Sequence, residues 1–247
     1  MRGNHGAAVL RAAVGRVVGR SMRWRERALL LAAVTTCVEQ WHWPVVPGAG
    51  APAHGGRPGT APCACPRPDC PTPGAHPHDP PLLAATTDPR MVRWWWRRHP
   101  DAPVVVATGG PVSAVSLPVD AGARALAYLD TLGVRTGPVL ATPSRYVLLV
   151  EPYSMQELAE LLIAQEWVPT SLRFHGTGGY VLLPPSRTGA GALRWIRRPQ
   201  DPAARESGAG KSGAGAAVAP WLPPVSTLLE VLVDASVATP DGARLAY

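Results

Sequence analysis

The chain has 247 residues, enough to bury a substantial core, and its hydrophobic fraction of 46% is normal for a globular protein. The 29 Pro and 25 Gly residues indicate generous loops and linkers. A net charge of +7 can indicate nucleic-acid binding, but residues 1–27 hold seven Arg and one Glu and therefore carry +6 of it. The rest of the chain is nearly neutral, so net charge alone assigns no nucleic-acid surface to the folded part.

The beginning of the chain is predicted to be a basic, disordered extension over residues 1–23. Met22 offers an alternative start that would remove most of it. The apolar run Ala28–Val34 is similar to a secretory signal, but polar residues and Glu39 interrupt the pattern and no small-x-small cleavage site is clear. The run is also too short to span a bilayer. We therefore predict an amphipathic helix over residues 24–42, no membrane contact and a cytoplasmic location.

Helices and strands alternate along the rest of the chain. Asp88-Pro89 is typical of a helix start, and that helix should run to about Arg98. It contains Trp94-Trp95-Trp96, of which one or two should be core and the remainder should face a groove or interface. Further helices are predicted at Ala121–Leu132, at Trp221–Val237 and, after a capping box of Ser154 with Glu157, up to Ala164. Strands are predicted at Trp43–Pro47, Val104–Thr108, Ala114–Leu117, Val139–Thr142, Tyr146–Val150, Leu172–His175, Tyr180–Leu183 and Leu193–Ile196.

The expected fold class is α+β, with a mixed central sheet flanked by helices and an irregular Cys/His loop. Two hairpins support it, one turning at Pro143-Ser144 and one around Gly176–Gly179. The main domain is predicted at residues 24–198. A Gly/Ala/Pro/Ser-rich flexible linker follows at 199–219, and a C-terminal helix lies within 220–247.

The Cys/His loop, at about residues 54–80, is the strongest candidate for a metal site. It has no helical or strand periodicity, and an irregular loop of that length in a compact domain needs a stabilising interaction, such as a bound metal. Thiolates and imidazole are the ligands that Zn²⁺ prefers in closed four-coordinate sites. The predicted ligands of a structural zinc are Cys63, Cys65, Cys70 and His76. His78 and His54 are alternative fourth ligands, and Cys37, in an apolar helix, is predicted to be a core thiol.

Other catalytic classes find no support in the sequence. It contains no GxSxG elbow and no GxxxxGK[ST] loop, and no GxGxxG segment follows a predicted strand. Gly176-Thr177-Gly178 lacks the third glycine and lies between strands, which predicts a turn. His175 is predicted to be a structural histidine. The sequence thus provides no complete set of catalytic residues.

The order of several segments resembles the bifunctional DNA primase/polymerase N-terminal domain. The matching pieces are Trp43–Pro47, Ala85–Pro89 with the Trp-rich helix, Ala107–Gly110, Ala114–Leu117 and Leu172–Ser186. The last piece is similar to the family's D-x-R-x-x-G-G-Y-V-V-x-P-x-S segment. The resemblance spans roughly residues 24–198 and implies a role in DNA replication, with Mg²⁺ or Mn²⁺ as cofactor if the domain is active.

The resemblance also implies where the catalytic acids would lie. Two-metal nucleotidyl transfer needs clustered carboxylates, because Mg²⁺ and Mn²⁺ prefer anionic oxygen ligands. The family's D-x-D pair would fall near Ser116 and Pro118, and its last acidic position corresponds to Ser171. The family's histidine hairpin corresponds to Pro143–Leu148, which has no His. Asp120, the remaining catalytic candidate, could equally cap a helix and should hold metal only weakly by itself.

We therefore predict a catalytically degenerate relative that binds nucleotide or nucleic acid. The resemblance implies Arg173, Tyr180 and Ser186 as nucleotide-binding residues, and Arg145, a basic residue nearby, is predicted to join them. Two alternatives remain open at this point. One is an active primase-polymerase with relocated metal ligands, and the other is a zinc-stabilised interaction module whose protein partner docks on the Trp-rich helix.

Overall fold

In the computed structural model, the described residues are 23–50, 63–199 and 219–237. Most of the predicted basic extension, Met22, His54, nearly all of the linker and residues 238–247 lie outside them. The helices are α1 over residues 23–39, α2 Pro89–Arg98, α3 Val119–Thr131, α4 Met155–Ile163 and α5 Ser226–Val237, with a short 3₁₀ helix at Leu82–Ala84. The strands are β1 Val45–Pro47, β2 Val104–Ala107, β3 Ser113–Pro118, β4 Val139–Ala141, β5 Arg145–Val150, β6 Arg173–His175, β7 Tyr180–Leu183, β8 Arg187–Thr188, β9 Gly191–Ala192 and β10 Arg194–Arg197.

The strands form two main sheets, which confirms the α+β class. One sheet has the order β1-β2-β7, the other has the order β10-β4-β5-β3-β6, and β8 with β9 makes a small ribbon. The structure differs from the predicted mixed central sheet in two respects. Every strand pair among the described residues is antiparallel, and the strands divide between two sheets.

The predicted hairpin at Pro143-Ser144 is confirmed as the β4–β5 pair. The prediction of a second hairpin around Gly176–Gly179 is wrong. Strand β6 pairs with β3 and strand β7 pairs with β2, so this turn carries the chain from one sheet to the other. A second turn packs against it: the Thr108 hydroxyl donates to the Gly176 carbonyl at 2.7 Å. Gly109 has φ +90°, and a Cβ there would lie 2.2 Å from Thr177 Cα. Only glycine fits this contact between the turns.

The side chains of β3 alternate between two cores. Val115 and Leu117 belong to the core beneath α3 and α5. Ala114 belongs to the other core, which the three-stranded sheet shares with α1 and α2. Because successive side chains of a strand point to opposite faces, Ser116 lies on the same face as Ala114. The fold therefore places Ser116 on the side of the larger sheet that faces the smaller one.

Helix α2 has the predicted bounds, and its caps and burial agree with the sequence. Asp88 Oδ1 accepts a hydrogen bond from the Arg90 backbone N–H at 2.8 Å. Trp95 and Trp96 are buried, whereas Trp94 is 47% exposed, so two of the three tryptophans are core as expected. No helix in the described part of the chain is long and apolar enough to cross a bilayer.

Candidate functional site

Arg145, the first residue of β5, joins two segments at the centre of the fold. Its Nε donates to Ser116 Oγ at 3.1 Å. Its Nη2 donates to the backbone carbonyls of Ser116 and Ser171, each at 2.6 Å. Strand pairing explains the arrangement, because Arg145 lies opposite Pro118 and Arg173 lies opposite Ser116. The guanidinium thus connects β3 to the segment that leads into β6.

The charge of Arg145 has no carboxylate partner among the described residues. Burial and then the neighbouring Arg173 lower the pKa of Arg145 to about 10, so it stays positively charged at neutral pH. A half-buried cation that has only carbonyl and hydroxyl partners, next to a second cation, creates a strongly positive local field. An anion would relieve this repulsion, whereas a divalent cation would increase it.

His175 completes the group, and its role was missed from the sequence. Its Nε2 lies 2.9 Å from Ser116 Oγ. Burial, then the charges of Arg145 and Arg173, lower the pKa of His175 to about 4, so the imidazole is neutral at pH 7. Ser116 Oγ already accepts from Arg145 and can donate its own hydrogen to the neutral Nε2. The signal that could have found His175 is its spacing from Arg173, since residues two apart on a strand share a face.

We expect this histidine to make the fold sensitive to acid. A His whose pKa is lower when folded than the ordinary 6.5 binds fewer protons than in the unfolded chain, so stability is full above pH 6.5 and falls toward pH 4. For a pKa shift of this size, the free energy of unfolding should fall by about 3 kcal/mol in total. Urea unfolding at several pH values checks it, with His175→Gln as the comparison. If the free energy of unfolding falls with pH as steeply in the His175→Gln variant as in the wild type, His175 is not the group responsible.

The second group of functional side chains is the Cys/His loop. The ligand atoms of Cys63, Cys65, Cys70 and His76 all lie within 4.8 Å of one another. His76 Nε2 is 3.4 Å from Cys63 Sγ and 3.3 Å from Cys70 Sγ. In a tetrahedral zinc site, sulfur and nitrogen ligands lie about 3.6 Å apart. The group therefore has the donor set and the dimensions to bind a metal such as zinc.

Contacts around the group orient its ligands. His76 Nδ1 is 2.8 Å from the Pro77 carbonyl, which can only accept, so Nδ1 carries the proton and the lone pair of Nε2 faces the sulfurs. The Gly74 backbone N–H donates to Cys63 Sγ at 3.4 Å. Burial would raise the pKa of Cys63, but hydrogen bonds from the backbone of Cys65 and Gly74 and from side chains of the group lower it to about 6. A thiolate at this position is ready to coordinate a metal.

Backbone hydrogen bonds tie the loop to the domain. The Ala49 N–H donates to the His76 carbonyl at 2.8 Å, just after β1. The Gly189 N–H, in the turn between β8 and β9, donates to the Pro73 carbonyl at 2.7 Å. Burial, and then the negative charge of Cys70, raise the pKa of Tyr180 on β7. The loop thus lies between the end of β1, the β8–β9 ribbon and β7.

Comparison with known proteins identifies the domain. A family model described as bifunctional DNA primase/polymerase, N-terminal, matches residues 34–206, which is more than half of the chain. The chain belongs to the bifunctional DNA primase/polymerase N-terminal family. No curated protein and no solved structure matches the chain.

In this primase/polymerase domain, the positions implied for the catalytic acids lie together but carry no acid. Ser116 and Ser171 both contact Arg145. Asp120 is exposed in the first turn of α3, and no hydrogen bond or ion pair joins it to Arg145. Within residues 23–50, 63–199 and 219–237, the Cys/His loop is the sole group of three or more His, Cys, Asp or Glu residues close enough to hold a metal.

The remaining predicted residues separate into surface and core positions. Arg173 is exposed on β6 and Tyr180 is half-buried on β7. Ser186 is fully buried, and its hydroxyl accepts a hydrogen bond from the Val104 N–H at 2.7 Å. Its contact is therefore structural. Cys37 is 1% exposed, as predicted for a core thiol, and burial raises its pKa. His78 is exposed and lies outside the group of candidate metal ligands.

Proposed function

We propose that this primase/polymerase domain binds the phosphates of a nucleotide without transferring it. The observation that supports the proposal is the guanidinium of Arg145, which bridges Ser116 and Ser171. At these two positions the resemblance to the family implies metal-binding acids. Arg145 and Arg173 supply two positive charges on one face of the sheet. Guanidinium groups bind phosphate oxygens through charge-assisted hydrogen bonds, and in Arg145 it is Nη1 that the bonds to Ser116 and Ser171 do not use.

Electrostatics favours binding over catalysis. Two-metal phosphoryl transfer needs anionic oxygen ligands that offset the charge of two divalent ions. At this site the hydroxyl of Ser116 is neutral and already engaged, the imidazole of His175 is neutral, and Arg145 is cationic. A pair of Mg²⁺ or Mn²⁺ ions would be repelled, whereas the same field attracts the three phosphates of a nucleotide.

The Cys/His group completes the proposal as a structural zinc site. Three thiolates and one imidazole would fill the four positions of a tetrahedral ion and would leave no position for water or substrate. Zinc there would cross-link a Pro-rich loop that the β1 end and the β8–β9 ribbon hold by few backbone hydrogen bonds. Three metal-binding cysteines and the buried Cys37, none of them in a disulfide, are kept reduced most easily in the cytoplasm, which is where we place the protein.

Triphosphate binding measured beside primer extension tests the function. We expect a deoxynucleoside triphosphate to bind without added divalent cation, with an affinity that falls as ionic strength rises. We expect no primer synthesis or extension when Mg²⁺ or Mn²⁺ is added. Consumption of the triphosphate, or binding that strictly requires an added divalent ion, would establish an active polymerase site and overturn the proposal.

A further inference from the structure

The outer face of helix α2 combines an aromatic side chain with positive charge. The buried side chains of this helix are Val92, Trp95 and Trp96. Because an α-helix completes a turn every 3.6 residues, positions 90, 94 and 97 lie on the opposite side. All three residues are exposed, and we call Arg90, Trp94 and Arg97 the basic face of α2.

Most of the positive charge on α2 is uncompensated. The helix contains four Arg and no Asp or Glu. One of them, Arg93, pairs with Glu39 at 2.8 Å. The other three have no carboxylate partner among the ion pairs of the described residues: Arg90, Arg97 and Arg98. The Arg98 guanidinium lies 5.0 Å from the centroid of the Trp94 ring, so the exposed indole lies among three cations.

The outer face of helix α4 is apolar and acidic. Leu158 is buried on the inner side of this helix. Met155, Ala159 and Ile163 follow one another at four-residue spacing and form an exposed stripe, in which Met155 is 69% and Ile163 is 83% exposed. Glu160 precedes Ile163 by three residues and therefore lies beside the stripe. We call these four exposed residues the acidic face of α4.

The negative charge around this stripe is uncompensated as well. Residues 151–167 contain four Glu and no Lys or Arg. None of the four glutamates belongs to an ion pair of the described residues. Exposed apolar side chains inside a charged rim are typical of a protein–protein contact. Each molecule therefore has two helix faces of similar length, about 15 Å, that share an apolar centre and are opposite in charge.

We propose that the basic face of α2 in one molecule binds the acidic face of α4 in a second copy of this chain. Trp94 packs on the apolar stripe, and Arg90 and Arg97 face the glutamates beside it. Charge complementarity selects this occupant, because every molecule carries both halves of the pair. The area under two short helices is small, so the association is weak, with a dissociation constant of about 10–100 μM. The contact includes no residue of the triphosphate site at Arg145.

The two faces belong to different parts of the fold. The buried residues of α2 lie in the core that the three-stranded sheet shares with α1, whereas Leu158 of α4 lies in the core beneath α3 and α5. A contact between unlike faces is heterologous, so each molecule that binds still has one face available. The assembly therefore grows head to tail, as a ring or an open chain, and does not stop at a symmetric dimer.

Analytical ultracentrifugation of the full-length chain tests the contact. We expect the weight-average mass of the wild type to rise between about 1 μM and about 1 mM, and to rise less at high salt. Trp94→Glu and Ile163→Glu each put a carboxylate where the two faces meet and should weaken the association about ten-fold or more. Tyr128→Glu on α3 is the matched control, because it makes the same charge change at a 54% exposed residue outside both faces. Circular dichroism confirms that each variant is folded, and Arg90→Glu repeats the test of α2 with the indole in place.

An equimolar mixture of the two blocked variants identifies the pairing. Trp94→Glu keeps its α4 face and Ile163→Glu keeps its α2 face, so one molecule of each should form a dimer that does not grow further. A mixture that stays monomeric where the wild type associates would overturn the proposal, as would a wild type that is monomeric at about 1 mM in low salt. Loss of association in Ile163→Glu alone would assign the α4 face to another segment, such as the basic residues 1–27, and would overturn it too.

Discussion

Replacing Cys63 with Ser should abolish metal binding and lower the thermal midpoint of unfolding by roughly 10 °C or more, since structural zinc contributes directly to folding free energy. Elemental analysis of the purified wild-type chain should find one zinc per molecule, and the Cys63→Ser variant should contain almost none. The same loss is expected for His76→Ala, because its Nε2 lies 3.4 and 3.3 Å from two of the sulfurs.

Two matched variants distinguish the effect of losing the metal from the general effect of losing a thiol or an imidazole. Cys37→Ala changes a buried thiol outside the group, and His78→Ala changes an exposed histidine two residues after His76. Both should keep one zinc per chain. A chelator should lower the midpoint of the wild type but not that of Cys63→Ser. Wild-type protein that is stable and metal-free when freshly purified would rule out the zinc site.

The Cys/His group was predictable because its four candidate ligands lie close together in the sequence. Cys63 and His76 are thirteen positions apart, so a single loop brings the whole group together without help from the sheet order. The helices were predictable for a similar reason. Asp88 before Pro89 and the capping box of Ser154 with Glu157 are local signals, and both cap bonds form in the structure.

The sheet pairing depends on distant contacts and was predicted less well. Leu172–His175 and Tyr180–Leu183 have the spacing of a hairpin, but β6 pairs with β3 and β7 with β2. The reason lies in another turn: Thr108 donates to Gly176, and Gly109 leaves the space that Thr177 fills. This contact joins residues 68 positions apart, and local spacing does not report it.

At the central site, too, the sequence did not predict the contacts between distant residues. The resemblance indicated that Ser116 and Ser171 stand at acidic positions, and Arg145 was predicted only as a neighbouring basic residue. The structure adds that one guanidinium contacts both serines across sequence separations of 29 and 26 residues. It also adds His175, whose lowered pKa follows from burial beside two arginines and could not be derived from its sequence context.

Arg145 therefore provides the sharpest test of how the central site works. Arg145→Met should weaken triphosphate binding about 10- to 100-fold, the range expected for losing a charge-assisted hydrogen bond to phosphate. Arg145→Lys should lose less, because it keeps the charge but cannot contact Ser116 and Ser171 with one planar group. Isothermal titration calorimetry on protein confirmed to be folded measures the affinities.

Two further measurements distinguish phosphate binding from a structural role. Ser186→Ala leaves the Val104 N–H unpaired, so it should cost about 1–3 kcal/mol of unfolding free energy while the triphosphate affinity stays at the wild-type value. In Arg145→Met, the pKa of His175 should rise from about 4, because one of the two cations that depress it is gone, although burial still holds it below 6.5. NMR titration of the imidazole reads this directly. If triphosphate binds Arg145→Met as tightly as the wild type while the His175 pKa rises, the guanidinium organises the sheet but does not hold the phosphates.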